Sequence, residues 1–242
     1  MQKLLDKMVI NLKETFQERL SSVFLYGSCA VEDCSKVFSD LNMIVIIKNL
    51  KAQDLKKAHR FSEDFAKSAK YLPIFMDKDE WLNSSDVYAI EYSDIIERHK
   101  ILYGENLIEN LHVHKHNLRL QCEHEVKNLL IRLRQGYLAK SNDKKAIKHL
   151  IQTSSKTFMI IFRTTLSLLK ETVPIAHEEV VKHFCEKISK DEFDFDCDLF
   201  LRILEFRKNQ KAIKDSELES IIEKLIDTTD SVLKYVDKIE LN

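Results

Sequence analysis

Two short apolar runs constrain this chain more than anything else in it. The first reads Val23-Phe24-Leu25-Tyr26 and ends on Gly27-Ser28. After eleven further residues the second opens on Asp40-Leu41-Asn42 and continues Met43-Ile44-Val45-Ile46-Ile47. Uninterrupted apolar runs of this length, bounded by turn residues, read as buried strands. As neighbours in a sheet they would flank a polar site at one end. The glycine sharpens the reading, because in 242 residues there are only three, at 27, 104 and 136. A residue without Cβ directly after a strand lets the backbone turn tightly and its amides approach a phosphate.

A Gly-Ser turn after a strand, then a short spacer, then Asp-apolar-acidic resembles the signature of the DNA polymerase β-like nucleotidyltransferase superfamily, and Tyr26-Gly27-Ser28 with Asp40 matches it in spacing. The chain departs from the pattern at Asn42, where the superfamily carries a second carboxylate. Ser39-Asp40-Leu41-Asn42-Met43 is similar to a bacterial subfamily that continues into an LRLQ-x-E then LRLRQ-x-YL helix. Leu118 to Glu123 and Leu133 to Leu138 resemble that helix. The resemblance then spans nearly the whole chain and names no substrate.

The chain is 44% hydrophobic and 32% charged, long enough for one large or two ordinary domains with real cores. Its 38 basic and 39 acidic residues nearly cancel, so no bulk attraction to nucleic acid is expected. Charges break the run from Met1 to Lys7, which does not read as a signal peptide, and no apolar stretch reaches membrane-spanning length. A cytoplasmic location is expected. The five cysteines, 29, 34, 122, 185 and 197, contain no C-x-x-C pair and fall mostly in apolar-periodic segments. They read as reduced core thiols with no zinc or redox role.

Along the chain, Leu5, Met8, Val9, Leu12, Phe16 and Leu20 recur at helical spacing, and so do Leu55, Ala58, Phe61, Phe65 and Ala69. Leu72 to Met76 reads as a short strand whose proline suits an edge. Asp79 to Ser84 reads as a short helix carrying Trp81. Val87 to Tyr92 alternates as a strand would, with Ala89 and Glu91 on one face and Tyr88, Ile90 and Tyr92 on the other. Ile95 to Asn106 resembles the LYGE turn that closes the catalytic domain of several bacterial nucleotidyltransferases. Alternation of strands and helices points to an α/β layer.

Past His112 the composition shifts, with Gly136 and Pro174 the only such residues and helical periodicity nearly throughout. Segments around Leu118–Tyr137, Ile147–Leu169, Val181–Ile188, Phe195–Phe206 and Leu218–Val236 define helices of an up-and-down bundle, the second apolar enough to be its centre. The expected organisation is an α/β nucleotidyltransferase domain over residues 1–112, a mixed sheet with flanking helices, and an all-α helical bundle over 113–242. With no flexible linker between them, the two are expected to share an interface.

The resemblance implies metal-dependent transfer of a nucleoside monophosphate, AMP from ATP, to a small-molecule or protein hydroxyl. Gly27 amide and Ser28 hydroxyl would hold phosphates, and Asp40 and Glu91 would ligate Mg2+, with Asp94 the alternative to Glu91. Asn42 offers only a neutral amide oxygen, so the site would hold a single ion, turn over slowly or be inactive. On the long helix, Arg119, Glu123, Lys127 and Arg134 read first as a solvated face laced with pairs four residues apart. The resemblance to kanamycin nucleotidyltransferase-like enzymes implies Glu123 as general base, with Lys127 or Arg134 on the triphosphate.

The alternating His112, His114 and His116 read as a surface turn rather than a metal site. Arg119 and His124 fit the short Arg-x4-6-His pattern of HEPN ribonucleases. Competing with the enzyme is a degenerate, non-catalytic fold that binds a nucleotide or a regulatory partner, including a toxin–antitoxin role. A homodimer through the helical domain is the remaining partner expectation.

Overall fold

The computed structural model describes residues 1–31, 41–189 and 195–240. The chain forms two compact units, Met1–His114 and Lys115–Asn242. Asp40 and Cys34 lie outside the described residues.

In the first unit α1 (Gln2–Phe16) leads into β1 (Leu20–Tyr26), α2 (Ser28–Val31), β2 (Asn42–Ile47), α3 (Ala52–Ala69) and β3 (Ile74–Asp77). Then come α4 (Lys78–Asn83), α5 (Ala89–Glu97) and β4 (His99–Gly104). The described strands make a four-stranded mixed sheet in the order β3-β2-β1-β4. β1 runs antiparallel to β2 and β4, while β2 and β3 are parallel.

Both faces of this sheet are covered, which is why the strands read as continuous apolar runs rather than alternating ones. Val23, Leu25, Met43, Val45 and Ile47 pack with Leu5, Met8, Leu12 and Phe16 of α1 and Ala58, Phe65 and Ala69 of α3. Phe24, Ile44 and Ile46 face the other way, against Trp81, Tyr92, Ile95, Ile108 and Leu111. Trp81 is fully buried there. Its ring lies 5.2 Å from Phe24 and stacks on Tyr92 at 4.4 Å. Its indole N–H donates to the Leu107 carbonyl, and its own carbonyl accepts from the Tyr92 hydroxyl at 2.7 Å.

That packing overturns the strand expected over Val87 to Tyr92. Ala89, Tyr92 and Ile95 are buried together, three residues apart, which one side of a helix delivers and a strand cannot. Glu91 therefore stands in the first turn of α5, not on a strand beside β2. β4 is instead built from the LYGE segment.

One end of the sheet is tightly fixed. Arg19 grips the buried Asp54 with two nitrogens at 3.1 and 2.6 Å and donates to the carbonyls of Lys48 and Asn49. Asp54 also accepts the Lys51 N–H, closing the start of α3. The Arg19 guanidinium, hydrogen-bonded to it, holds the Asp54 carboxyl below the usual range.

The second unit carries α6 (Lys115–Lys140), α7 (Lys144–Leu168), α8 (His177–Ser189), α9 (Cys197–Lys208) and α10 (Leu218–Asp237). Thus the fold class read from sequence stands: a mixed sheet with its helices, then an all-helical region. α7 is the buried member, as its apolar content indicated. Its Phe162 stacks on Phe184 at 4.1 Å and meets Phe200 edge-on at 5.1 Å. Asp143 and Asp196 cap α7 and α9 by accepting backbone N–H groups of the first turn.

The reduced-thiol expectation is corrected. Cys185 and Cys197 form a disulfide between α8 and α9, their Cα atoms 6.0 Å apart, and Cys29 is also disulfide-bonded. The helical periodicity placed the two cysteines correctly in apolar faces but could not show that those faces meet. Cys122 is the free thiol among the described residues, and burial pushes it up to about 12. No helix is long and apolar enough to cross a membrane among the described residues.

Candidate functional site

The end of the sheet away from Arg19 is where β1 gives out onto Gly27. In register, Tyr26 lies between Asn42 of β2 and His99 of β4, so one row crosses three strands. Residues directly opposite share a face. Alternation from Phe24 and Ile44 puts this row on the Trp81 side, under α5.

The turn that follows is fixed by backbone bonds. Gly27 adopts φ +79°, which favours glycine. Its N–H donates to the Arg98 carbonyl at 3.0 Å, and its carbonyl accepts from Ala30 at 3.0 Å. The Gly27 amide expected to cradle a phosphate is therefore already committed within the protein. Ser28, half-buried, opens the four-residue α2.

Asn42 leans over this turn. A Cβ placed on Gly27 would sit 3.4 Å from Asn42 Nδ2, an ordinary van der Waals contact. The backbone before it is held by the Leu41 N–H, which donates to the Ala69 carbonyl at the end of α3 at 3.3 Å.

Glu91 reaches the same end of the sheet by a route the sequence did not indicate. Burial raises the Tyr26 phenol, and the Glu91 charge raises it further, so that carboxylate is felt at the row beside Asn42. Glu91 itself is exposed. Asp94, the alternative carboxylate, is ion-paired with Arg98 one helical turn on. His99 donates from Nδ1 to the carbonyls of Ile95 and Ile96 at 3.0 and 3.2 Å, tying β4 to the end of α5.

The structure thus brings Gly27, Ser28 and Asn42 to one end of one sheet, with Tyr26 and His99 added, and the charge of Glu91 acts on Tyr26 there. Tyr26 was legible only as a neighbour of the glycine. Nothing in a single sequence marks His99, because its place depends on strand pairing.

Glu123, Lys127 and Arg134 belong to the second unit, and each is engaged there. Glu123 binds Lys127 and accepts from Arg119 at 3.2 Å. The Lys127 hydrogen bond, followed by the charges of Lys127 and Arg119, holds the Glu123 carboxyl below its ordinary value despite burial. Arg134 contacts Asp230 at 3.4 Å. His124 lies against Asn128 at 3.2 Å. Among the described residues, no three His, Cys, Asp or Glu side chains converge to hold a metal ion.

No family model matches the sequence, and no curated protein matches it. A structural likeness does appear. The spectinomycin adenyltransferase AAD(9) from Enterococcus faecialis, solved with ATP and spectinomycin, matches at TM-score 0.59 and 13% identity, over 95% of this chain and 99% of that chain. A tri-AMPylated Shewanella oneidensis HEPN toxin in complex with MNT antitoxin matches at TM-score 0.28 and 17% identity, over 43% of this chain and 72% of the other, too weakly to carry an argument. The first likeness shows the fold alone: this chain shares the architecture of that structure, an N-terminal mixed sheet with its helices followed by an all-helical region.

Proposed function

We propose that the Gly27 end of the sheet binds a nucleoside triphosphate, ATP foremost, and that the protein transfers its nucleoside monophosphate to a hydroxyl of a small molecule or protein. The observation that carries this is the meeting of the Gly27–Ser28 turn, the Asn42 amide and the field of Glu91 at one edge. In the reaction the acceptor oxygen attacks the α-phosphorus, the P–O bond to the β-phosphate breaks, and pyrophosphate leaves with the electron pair. Glu91 takes the hydroxyl proton. It is preferred to Glu123, which two cations hold ionised and which is the weaker base for it.

Ser28 would hold a phosphate oxygen. Lys127 and Arg134 would have to leave Glu123 and Asp230 to do the same. Magnesium, which the resemblance implies, would be held by Asp40 and Glu91 as a single ion and would supply charge neutralisation.

The domain division proposed is a nucleotidyltransferase domain over 1–112 and a helical bundle over 113–242. A cytoplasmic setting is proposed with it, and a reducing compartment would open the Cys185–Cys197 disulfide that the structure contains. The Phe162, Phe184 and Phe200 cluster would then hold α8 and α9 to α7.

Transfer of label from α-labelled ATP tests the proposal, with spectinomycin as the first acceptor because the similar structure holds it. Asp40→Ala should lower transfer by roughly a hundredfold or more, as loss of a metal ligand does. Equal transfer by parent and variant would remove the catalytic reading. A non-catalytic nucleotide-binding protein is the second reading, favoured by the neutral Asn42, and binding of ATP without transfer to any acceptor would select it.

A further inference from the structure

We propose that the outer side of the α6–α7 pair is a docking surface for an acidic amphipathic helix of a partner protein. The inference stands apart from the nucleotide reading, because none of its residues belongs to the Gly27 end.

Charge is unevenly spread along the chain. Between Lys115 and Lys170 stand twelve basic residues and three acidic ones, Glu123, Glu125 and Asp143, although the whole chain has 38 and 39. α7 contains no acidic residue at all. Two of the three carboxylates are spent within the unit, Glu123 on Arg119 and Lys127, and Asp143 on the first amides of α7. Glu125 is half-buried. Arg132 and Lys156 are exposed, and among the described residues neither has a carboxylate partner. The Arg132 guanidinium donates only to the Thr157 hydroxyl, at 2.9 Å.

Apolar side chains stand among these cations. On α6, Leu120, Ile131 and Leu138 are 45%, 53% and 87% exposed. They follow one another at about three turns and about two, so they fall along one line of the helix. α7 adds Ile160, 43% exposed. The helices lie side by side and antiparallel: Arg132 reaches Thr157, while Cys122, earlier on α6, meets Thr165, later on α7. Ile160 therefore runs alongside the stretch of α6 that carries Ile131.

A row of aliphatic contacts flanked by cations is complementary to a helix with leucine-type side chains on one face and carboxylates beside them. Other occupants fit less well. Neither α6 nor α7 exposes an aromatic ring on which a nucleic-acid base could stack. The exposed polar side chains of His124, Asn128 and Gln135 interrupt the aliphatic line, so it is not the continuous apolar face that a membrane surface takes up. A second copy docking by the same face would set cation against cation.

Fluorescence anisotropy with the full chain tests this. The probe is a labelled helical peptide of glutamate, alanine and leucine, its leucines at the α6 intervals. The parent should bind it, less tightly as salt rises. Lys156→Glu combined with Arg132→Glu should weaken binding roughly tenfold or more, because like charges are then brought together. Should that variant not fold, Ile131→Ser combined with Leu138→Ser, both at exposed positions, should also weaken binding roughly tenfold or more. Peptides with lysine in place of glutamate, or alanine in place of leucine, should not bind.

Equal binding of either control peptide, unchanged affinity in the variants, or no binding of the leucine–glutamate peptide overturns the inference. So does tighter binding of a single-stranded RNA oligonucleotide or of phosphatidylserine vesicles, or a dimer of the full chain in sedimentation that these substitutions abolish.

Discussion

Gly27 and Gly104 stand at opposite ends of the same sheet, both with positive φ, +79° and +85°, yet their surroundings differ sharply. A Cβ on Gly104 would lie 2.1 Å from the Ser21 carbonyl oxygen and 2.9 Å from its carbon, all backbone. A Cβ on Gly27 would meet one side-chain nitrogen at van der Waals distance. Around Gly104 the chain is interlocked: Glu105 N–H donates to Ser21, Ser22 hydroxyl donates to Glu105, and Lys78 pairs with the Glu105 carboxylate at 2.6 Å. Arg19 and Asp54 complete that end. One end of the sheet is therefore committed to holding the fold, while at the other, among the described residues, a single amide nitrogen meets the turn. In a marginally stable protein, such unequal commitment is a physical pointer to where binding occurs.

The comparison is tested most severely at Gly104. Gly104→Ala forces a methyl group into backbone that cannot give way, on top of the left-handed φ. Unfolding by urea should show a loss of roughly 3 kcal/mol or more. A loss under about 1 kcal/mol would show that the Ser21–Gly104 crossing is not rigid.

Next in size is Asp54. Asp54→Asn removes the charge that Arg19 grips and weakens the cap on α3, and should cost about 1–2 kcal/mol at neutral pH. Its pH dependence has a definite sign. The folded carboxyl lies below the unfolded value of about 3.9, so the stabilisation is complete above that pH and is lost as pH falls through the folded value. Parent and variant should begin to converge in urea midpoint as pH falls below about 4 and meet only below the folded value. A gap that persists in acid would mean the carboxylate's charge contributes little.

Much of the fold was legible because its determinants are local. Apolar periodicity located α1, α3 and every helix of the second unit, and continuous apolar runs located β1 and β2. The failure at α5 is instructive: Val87 to Tyr92 spans too few residues for alternation to be told from a helical face. What decides is packing: Tyr92 and Ile95 face the cluster that holds Trp81, and Ala89 is buried one turn before Tyr92. At the Gly27 end the glycine and the amide were legible in the sequence, whereas Glu91 was expected on a strand and stands in the first turn of α5. The hydrogen bonding of that end was not legible. That the Gly27 N–H is spent on Arg98 follows from β4 lying beside β1, a pairing of residues far apart in sequence.

Gly27→Ala sharpens the contrast between the two ends. With space for the methyl, only the left-handed φ is penalised, and stability should fall by about 1–2 kcal/mol, less than at Gly104. A loss as large as that at Gly104 would erase the distinction drawn between them. The same variant crowds Asn42, so ATP titration should weaken even though the fold survives.

The smallest effect on stability is expected from Glu91→Gln, an exposed position whose substitution should change unfolding free energy by no more than about 0.5 kcal/mol. Its signature lies elsewhere. Burial and then the Glu91 charge raise the Tyr26 phenol, so neutralising Glu91 should lower the tyrosine's titration midpoint while leaving the burial contribution. Ultraviolet difference titration at alkaline pH, with Tyr26→Phe identifying the band, measures that shift. Transfer of label should fall by roughly a hundredfold or more if Glu91 is the proton acceptor. A tyrosine midpoint unmoved by Glu91→Gln would place that carboxylate out of electrostatic reach of Asn42. The proton acceptor of the proposed transfer would then have to be sought at Asp40.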